Sequence, residues 1–89
     1  MGRQKKRVET LLFRVAKRVP LLTPGAPMFS LEWDGTDRTL QEMEQRYSHV
    51  LPEYALLLPW CRQQTIKGAP QGKAFGNIEV LCWAKVEVK

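Results

Sequence analysis

The sequence predicts a small α+β domain in which one main helix packs on a three-stranded, mostly antiparallel sheet. Three observations support this fold class. Residues 75–88 alternate small apolar and mixed side chains, residues 28–34 alternate in the same way, and residues 38–51 carry an apolar stripe at helical spacing. Leu, Ile, Val and Phe supply 23 of the 89 residues, which is enough for one modest core.

The first element, residues 8–19, has two interpretations. As a strand of about residues 9–19, it places Phe13 and Val15 on one face, although Lys17 then shares that face. As a helix, it forms an apolar stripe but leaves Phe13 on the polar side. Because a two-stranded ribbon is marginal alone, a third strand here would complete the sheet. We therefore predict a strand and keep the helix as the alternative.

A proline-rich connection separates this element from the second strand, at about residues 28–34. The main helix follows at about residues 38–51. Thr39 and Glu42 have the spacing of a capping box, in which each side chain satisfies a free backbone N–H at the helix start. Pro52 ends the helix or begins a further turn, since proline is tolerated at the first helical position.

The last part of the chain contains short helical turns in residues 53–64, a loop over residues 65–74 and the strand 75–88. The main helix should cover the small apolar row of this strand. Leu81 and Trp83 lie on its other face, and residues 53–64 are the segment predicted to cover them. If that segment does not cover Trp83, this second face is predicted to be the binding surface.

The net charge of +5 is concentrated at the N-terminus. Residues 1–18 contain seven basic residues and one acid, a net +6, whereas the rest of the chain sums to −1. We predict a flexible basic arm at residues 1–7, followed by a single domain at residues 8–89. Such a charge bias favours partners that carry phosphate or an acidic protein surface.

Residue types for catalysis or metal binding are scarce. His49 is the only histidine, and its neighbour Ser48 points in another direction on a helix, so the two cannot form a catalytic dyad. Cys61 and Cys82 have no metal-binding or redox spacing. We predict no enzymatic activity, no metal, no cofactor and no small-molecule substrate. Two cysteines without a disulfide framework favour a reducing, cytoplasmic location, and no apolar run is long enough for a membrane span.

The predicted function is that of a non-enzymatic small basic binding protein. It would act on a protein partner with an acidic surface, or in a macromolecular assembly, as an adaptor, inhibitor or structural component. The alternative is weakly sequence-specific nucleic-acid binding through the basic N-terminus. The order strand–strand–helix–strand is similar to that of some small bacteriophage proteins that bind host enzymes, in element order only.

The candidate contact residues are mostly basic side chains of the N-terminal third and of the loop before the last strand. They are Arg3, Lys5, Lys6, Arg7, Arg14, Lys17, Arg18, Lys67 and Lys73. The candidate aromatic contacts are Trp33 and Trp83, which could stack on a ligand if the sheet exposes them.

Overall fold

The structure is a computed structural model that describes residues 6–22, 24–25, 28–48, 52–67 and 70–88. It is an α+β fold with two helices and a four-stranded antiparallel sheet of order β2-β1-β4-β3. The elements in chain order are β1 (Arg7–Pro20), β2 (Phe29–Trp33), α1 (Leu40–Tyr47), α2 (Pro52–Gln63), β3 (Gln71–Phe75) and β4 (Ile78–Val88).

The strand interpretation of residues 8–19 is confirmed, because β1 is the long central strand of the sheet. Phe13 is fully buried and Val15 nearly so, both against the helices. Lys17 lies on the same face but near the end of the strand, where it is exposed. Of the predicted basic arm at residues 1–7, Arg7 already belongs to β1, and residues 1–5 lie outside the described part of the chain.

The prediction of three strands is wrong, since the sheet has a fourth. Residues 65–74 were expected to form a loop, but Gln71–Phe75 forms β3 and pairs with β4. The expected single strand at residues 75–88 is therefore part of a hairpin. Its turn contains Gly76 at φ 59°, a conformation that glycine adopts without steric cost. β3 has no apolar alternation, because Phe75 is its one buried residue, and so its sequence resembles a loop.

The predicted start of the main helix is confirmed in detail. The Thr39 hydroxyl accepts a hydrogen bond from the Glu42 backbone N–H at 3.2 Å, and the Thr39 N–H donates to the Glu42 carboxylate at 3.0 Å. Both bonds satisfy N–H groups that a helix start leaves without partners. The helix α1 ends at Tyr47, and the predicted continuation through residues 49–51 lies outside the described residues.

The predicted placement of residues 53–64 is wrong. They form a single helix, α2, that continues through Pro59, and this helix packs on the same side of the sheet as α1. Its residues Leu57, Leu58 and Cys61 are buried in the core against β4. One uninterrupted helix presents these side chains on one stripe. This stripe is buried in one cluster with apolar side chains of α1 and β4. The core contains Phe13, Val15, Met43, Tyr47, Leu57, Leu58, Cys61, Phe75, Ile78, Val80 and Cys82.

The outline of the sheet is uneven. β1 and β4 pair from Arg7↔Val88 to Lys17↔Ile78, whereas β2 reaches along β1 only to Ala16, and β3 reaches along β4 only to Cys82. Residues 7–12 and 83–88 therefore extend beyond the outer strands as a two-stranded ribbon, called the ribbon below. The described chain accordingly measures 66 × 30 × 20 Å. Neither of its helices is long and apolar enough to span a membrane.

Candidate functional site

The sheet face opposite the helices is the candidate site, and it is called the open face below. Strand alternation defines it, because residues directly opposite each other on neighbouring strands share a face. Leu12 is opposite Trp83, and Ala16 is opposite Trp33. None of these four residues belongs to the core cluster under the helices. The part of the open face considered below comprises Leu12, Arg14, Ala16, Arg18, Phe29, Leu31, Trp33, Glu79, Leu81 and Trp83.

The open face exposes large apolar side chains. Phe29, Leu31 and Trp33 on β2 are 39%, 37% and 40% exposed, and Leu81 on β4 is 37% exposed. Leu12 and Ala16 of β1 are buried although neither α1 nor α2 lies over them, because bulky side chains of the neighbouring strands flank them. A group of exposed apolar side chains on a small domain is typical of an interaction surface.

Arg14 crosses the open face between an aromatic ring and an acid. Its guanidinium carbon lies 5.5 Å from the centroid of the Trp83 ring, within the range of a cation–π contact. Its Nη2 atom lies 2.7 Å from Oδ1 of Asp37, in the connection between β2 and α1. The ring thus supports the apolar stem and the positive charge, while the carboxylate neutralises that charge.

Arg18 repeats this arrangement at the other end of the face. Its guanidinium carbon lies 4.4 Å from the Phe29 ring centroid, and its Nη2 atom lies 3.0 Å from Oε1 of Glu79. Both ions of this pair are partly buried, which strengthens their attraction relative to that of an exposed pair. Arg14 and Arg18 are therefore held between an aromatic ring and a carboxylate, and the open face is close to neutral.

The other basic residues predicted as contacts do not lie together on one surface. Lys6 and Arg7 are exposed at the start of β1, and Lys67 is exposed in the turn that follows α2. Lys17 and Lys73 lie on the helix side of the sheet, since they pair with Ile78 and Val80 across β4. Outside the described residues lie Arg3 and Lys5.

Both predicted aromatic contacts lie on the open face. Trp33 is exposed by two fifths and Trp83 is half-buried. The sequence prediction missed Phe29 and Leu31 as site residues, whereas it named Leu81, with Trp83, as the binding surface if residues 53–64 leave that face uncovered. The alternation of residues 28–34 placed Phe29 and Leu31 on the same face as Trp33, but nothing in that alternation indicates that neither helix covers this face.

A cleft of about 490 Å³ lies on the helix side of the sheet, between β2 and α1, and Trp33 of the open face also lines it. One of its two acids, Asp34, is held by the Arg38 guanidinium and the Thr36 backbone N–H. Burial raises the pKa of Asp34, but these two hydrogen bonds and the positive charges of Arg38 and Arg46 together outweigh burial, so the pKa lies below its ordinary value of 3.8. Asp34 is thus an ionised structural group at neutral pH and is unsuited to act as a general acid. The cleft is lined by Val15, Lys17, Glu32, Trp33, Asp34, Arg46 and Tyr47.

The two cysteines are buried free thiols. Burial raises the pKa of Cys61 to about 12, with a smaller contribution from neighbouring Cys82, whose pKa burial also raises. A protonated, buried thiol is a poor nucleophile and a poor metal ligand. In the part of the chain that the structure describes, which does not include His49, no three His, Cys, Asp or Glu side chains come together as a metal site.

Comparison of the chain with protein-family models, with curated proteins and with solved structures found no match. The observed order, strand–strand–helix–helix–strand–strand, contains one helix and one strand more than the order that resembled small bacteriophage proteins.

Proposed function

We propose that this protein is a non-enzymatic binding protein that holds a protein partner on the open face, as an adaptor, inhibitor or structural component. One observation carries the proposal. Phe29, Leu31, Trp33 and Leu81 form a group of large apolar side chains on the side of the sheet that neither helix covers. A protein partner would remove this apolar surface from water, which is the main favourable term in protein association.

The residue types of the open face fit a protein interface. Tryptophan, other aromatic residues and arginine are enriched at the centres of such interfaces, where a few of them supply most of the binding energy. Because Asp37 and Glu79 neutralise Arg14 and Arg18, a strongly charged partner surface gains little here. We therefore propose a partner that presents apolar side chains surrounded by hydrogen-bonding groups.

The acidic partner surface expected from the N-terminal charge remains a prediction. It would contact the basic residues at the start of β1, beside the open face. A cytoplasmic location, expected from the two unpaired thiols, likewise belongs to the proposal.

Nucleic acid is less well suited to the open face. Base stacking requires free aromatic ring faces, but Arg14 and Arg18 already occupy one face each of the Trp83 and Phe29 rings. Phosphate binding requires cations without bound carboxylates, and both arginines are paired. The nucleic-acid alternative would therefore use the basic N-terminus, and it would be insensitive to substitutions on β2.

The test compares binding by the wild type and by a Trp33→Ala variant. The immobilised chain is used to capture proteins from a nuclease-treated lysate of the source cells, and the captured protein is purified and titrated by calorimetry. If Trp33 is a central anchor, its removal should weaken the affinity by about thirtyfold or more. Leu56→Ala is the matched control, because Leu56 is an exposed leucine on the helix side and should leave the affinity unchanged.

Two outcomes would contradict the proposal. In the first, Trp33→Ala and a second open-face variant, Leu81→Ala, both bind the captured protein as tightly as the wild type while keeping its circular dichroism spectrum. In the second, a mobility-shift assay at low salt shows nucleic-acid retention that survives Trp33→Ala but is lost when Lys5, Lys6 and Arg7 are replaced by glutamine. That second result would assign the function to the basic N-terminus.

A further inference from the structure

We propose that the outer edge of β2 pairs with β2 of a second copy of this chain, which gives a two-fold symmetric dimer with one continuous sheet. β2 is the last strand on its side of the sheet, and no described residue pairs with its outer edge. An unpaired strand edge of this kind is a template for another strand. The contact concerns the edge of the sheet and not its open face, so it does not rest on the proposed function.

The hydrogen bonds between β1 and β2 show which residues face the free edge. The Asp34 N–H donates to the Val15 carbonyl at 3.0 Å, and the Leu21 N–H donates to the Met28 carbonyl at 3.3 Å. Even-numbered residues of this segment therefore bond to β1. Because bonding alternates along an antiparallel strand, the odd-numbered residues direct their N–H and C=O groups to the free edge. These residues are Phe29, Leu31 and Trp33.

The side chains of these three residues suit strand pairing. Each is about two fifths exposed on the open face, and aromatic or aliphatic side chains paired across neighbouring strands stabilise a sheet. The outer edge of β3 lacks such side chains. The Arg18 N–H donates to the Asn77 carbonyl, so even-numbered residues of β4 bond to β3 and leave Gly72 and Ala74 on that edge.

The two edges of the ribbon are also less favourable. The outward residues on β4 are smaller than those of β2, and those on β1 are mostly charged. The charged side chains of the ribbon already form ion pairs within the chain, Arg7 with Glu9 and Lys85 with Glu87. An added strand would therefore gain little from these charges, and β2 is the free edge with the most apolar surface to offer.

The order of residues in β2 identifies the occupant as a second copy. The strand reads Phe-Ser-Leu-Glu-Trp, with an aromatic residue at each end, a polar residue next to each end and leucine at the centre. A two-fold axis requires such a symmetric order, because it places residues at equal distances from the centre opposite each other. Pairing with a foreign strand imposes no symmetry on this chain.

An axis through Leu31 matches every residue of the strand. Phe29 of each copy then lies opposite Trp33 of the other, and aromatic pairs of this kind contribute beyond their buried area. Ser30 of each copy lies opposite Glu32 of the other. Glu32 is thus placed between an uncharged hydroxyl and Lys17 of its own chain, which is its neighbour across β1.

Other positions of the axis lose this match. An axis through Glu32 would bring two glutamates together, and an axis through Trp33 would place Glu32 opposite Asp34. Like charges at opposite positions are destabilising. An axis through Phe29 or Ser30 would shift Trp33 past the end of β2 in the second copy.

The helix side of β2 leaves room for the second copy. Ser30 and Glu32 are exposed there, so neither helix blocks the approach of another strand. Residues opposite each other share a face of the sheet. The open faces of the two copies would therefore join on one side of the sheet, with all helices on the other side.

The first experiment measures the mass of the full chain by sedimentation equilibrium over a concentration series. The series extends to about 1 mM, because two paired five-residue strands make a small and weakly associating interface. The wild type should approach twice the chain mass, whereas Leu31→Pro should remain at the mass of one chain. Proline removes the central intermolecular donor but no hydrogen bond to β1. Ala74→Pro is the matched control on the outer edge of β3 and should still dimerise.

A mixing experiment tests the register. Phe29→Glu and Trp33→Lys should each raise the dissociation constant of the dimer by about tenfold or more, because an aromatic pair is lost at two places. An equimolar mixture of the two variants should dimerise more tightly than either variant alone. In the mixed dimer the new glutamate lies opposite the new lysine, and the remaining Trp33 lies opposite the remaining Phe29. A merely local folding defect in the variants would not be relieved by mixing.

A cysteine cross-link tests the position of the axis. The Cα atoms of the central pair would be about 5.5 Å apart, within disulfide range, so Leu31→Cys should form a disulfide-linked dimer on mild oxidation. Leu81→Cys is the matched control, because Leu81 is 37% exposed, as is Leu31, but lies on β4, away from the edge. It should link much more slowly. The native Cys61 and Cys82 are buried and should not interfere.

Three results would overturn the proposal. They are a wild type that stays at the mass of one chain throughout the series, a Leu31→Pro variant that dimerises as well as the wild type, and a Leu81→Cys variant that links as fast as Leu31→Cys. Leu81→Ala should leave the dimer intact, and loss of the dimer in that variant would instead place the self-contact on the open face. A wild type of single mass whose captured partner binds Leu31→Pro more weakly would assign the edge to a foreign strand, and the proposed function would still stand.

Discussion

Two adjacent leucines of α2 provide a direct test of how the helices and the open face are arranged. Leu57 is fully buried in the core, whereas Leu56 is 68% exposed. We expect Leu57→Ala to destabilise the protein strongly and Leu56→Ala to have little effect. The two substitutions are matched in chemistry, helix propensity and position along the chain, so any difference reports the side of α2 that packs on the sheet.

The magnitudes follow from burial. Replacing a fully buried leucine by alanine costs about 2–5 kcal/mol, because apolar contact is lost and a cavity remains. Leu56 buries only about a third of its surface, so its replacement should cost less than about 1 kcal/mol. The alanine introduced in the helix also offsets part of that cost. For a domain of this size, Leu57→Ala should lower the melting temperature by about 10 °C or more.

Urea denaturation followed by circular dichroism and tryptophan fluorescence measures both variants. Equal destabilisation by Leu56→Ala and Leu57→Ala would refute the packing of α2 described above, and it would indicate that α2 presents another face to the protein. The open face would then need a different description, since its exposure depends on both helices lying on the opposite side of the sheet.

Two further predictions concern local features. Thr39→Ala removes the hydroxyl acceptor of the capping box and should cost about 1 kcal/mol, measured by urea denaturation against the exposed control Thr65→Ala; equal stability of the two variants would argue against the box. Because burial raises the pKa of Cys61 from 9.0 to about 12, its neutral thiol stabilises the fold fully below about pH 9 and progressively less as the pH rises toward 12. The stability advantage of the wild type over Cys61→Ala should therefore shrink over that pH range, and a constant difference in denaturation experiments would contradict the burial of this thiol.

Elements with a strong local signal could be predicted from the sequence. The alternation of residues 28–34 and 75–88 predicts β2 and β4, because side chains on a strand point to alternate faces, although β4 begins only at Ile78. Thr39 and Glu42 predict the start of α1, because a capping box needs only residues three apart. The strand Gln71–Phe75 was not predicted because it lies at the edge of the sheet and buries only one residue, so its sequence does not alternate between apolar and polar side chains.

The sequence alone determined the α+β class, the strand preference of residues 8–19 and the identity of Trp33 and Trp83 as candidate contacts. The tertiary structure decided which side of the sheet the second helix covers, and thereby whether those tryptophans meet a helix or solvent. The alternation within a strand shows that its two faces differ, but long-range packing decides whether a helix or solvent covers each face. α2 joins α1 over Val80 and Cys82, and for that reason the opposite face, with Phe29, Leu31 and Trp33, stays open.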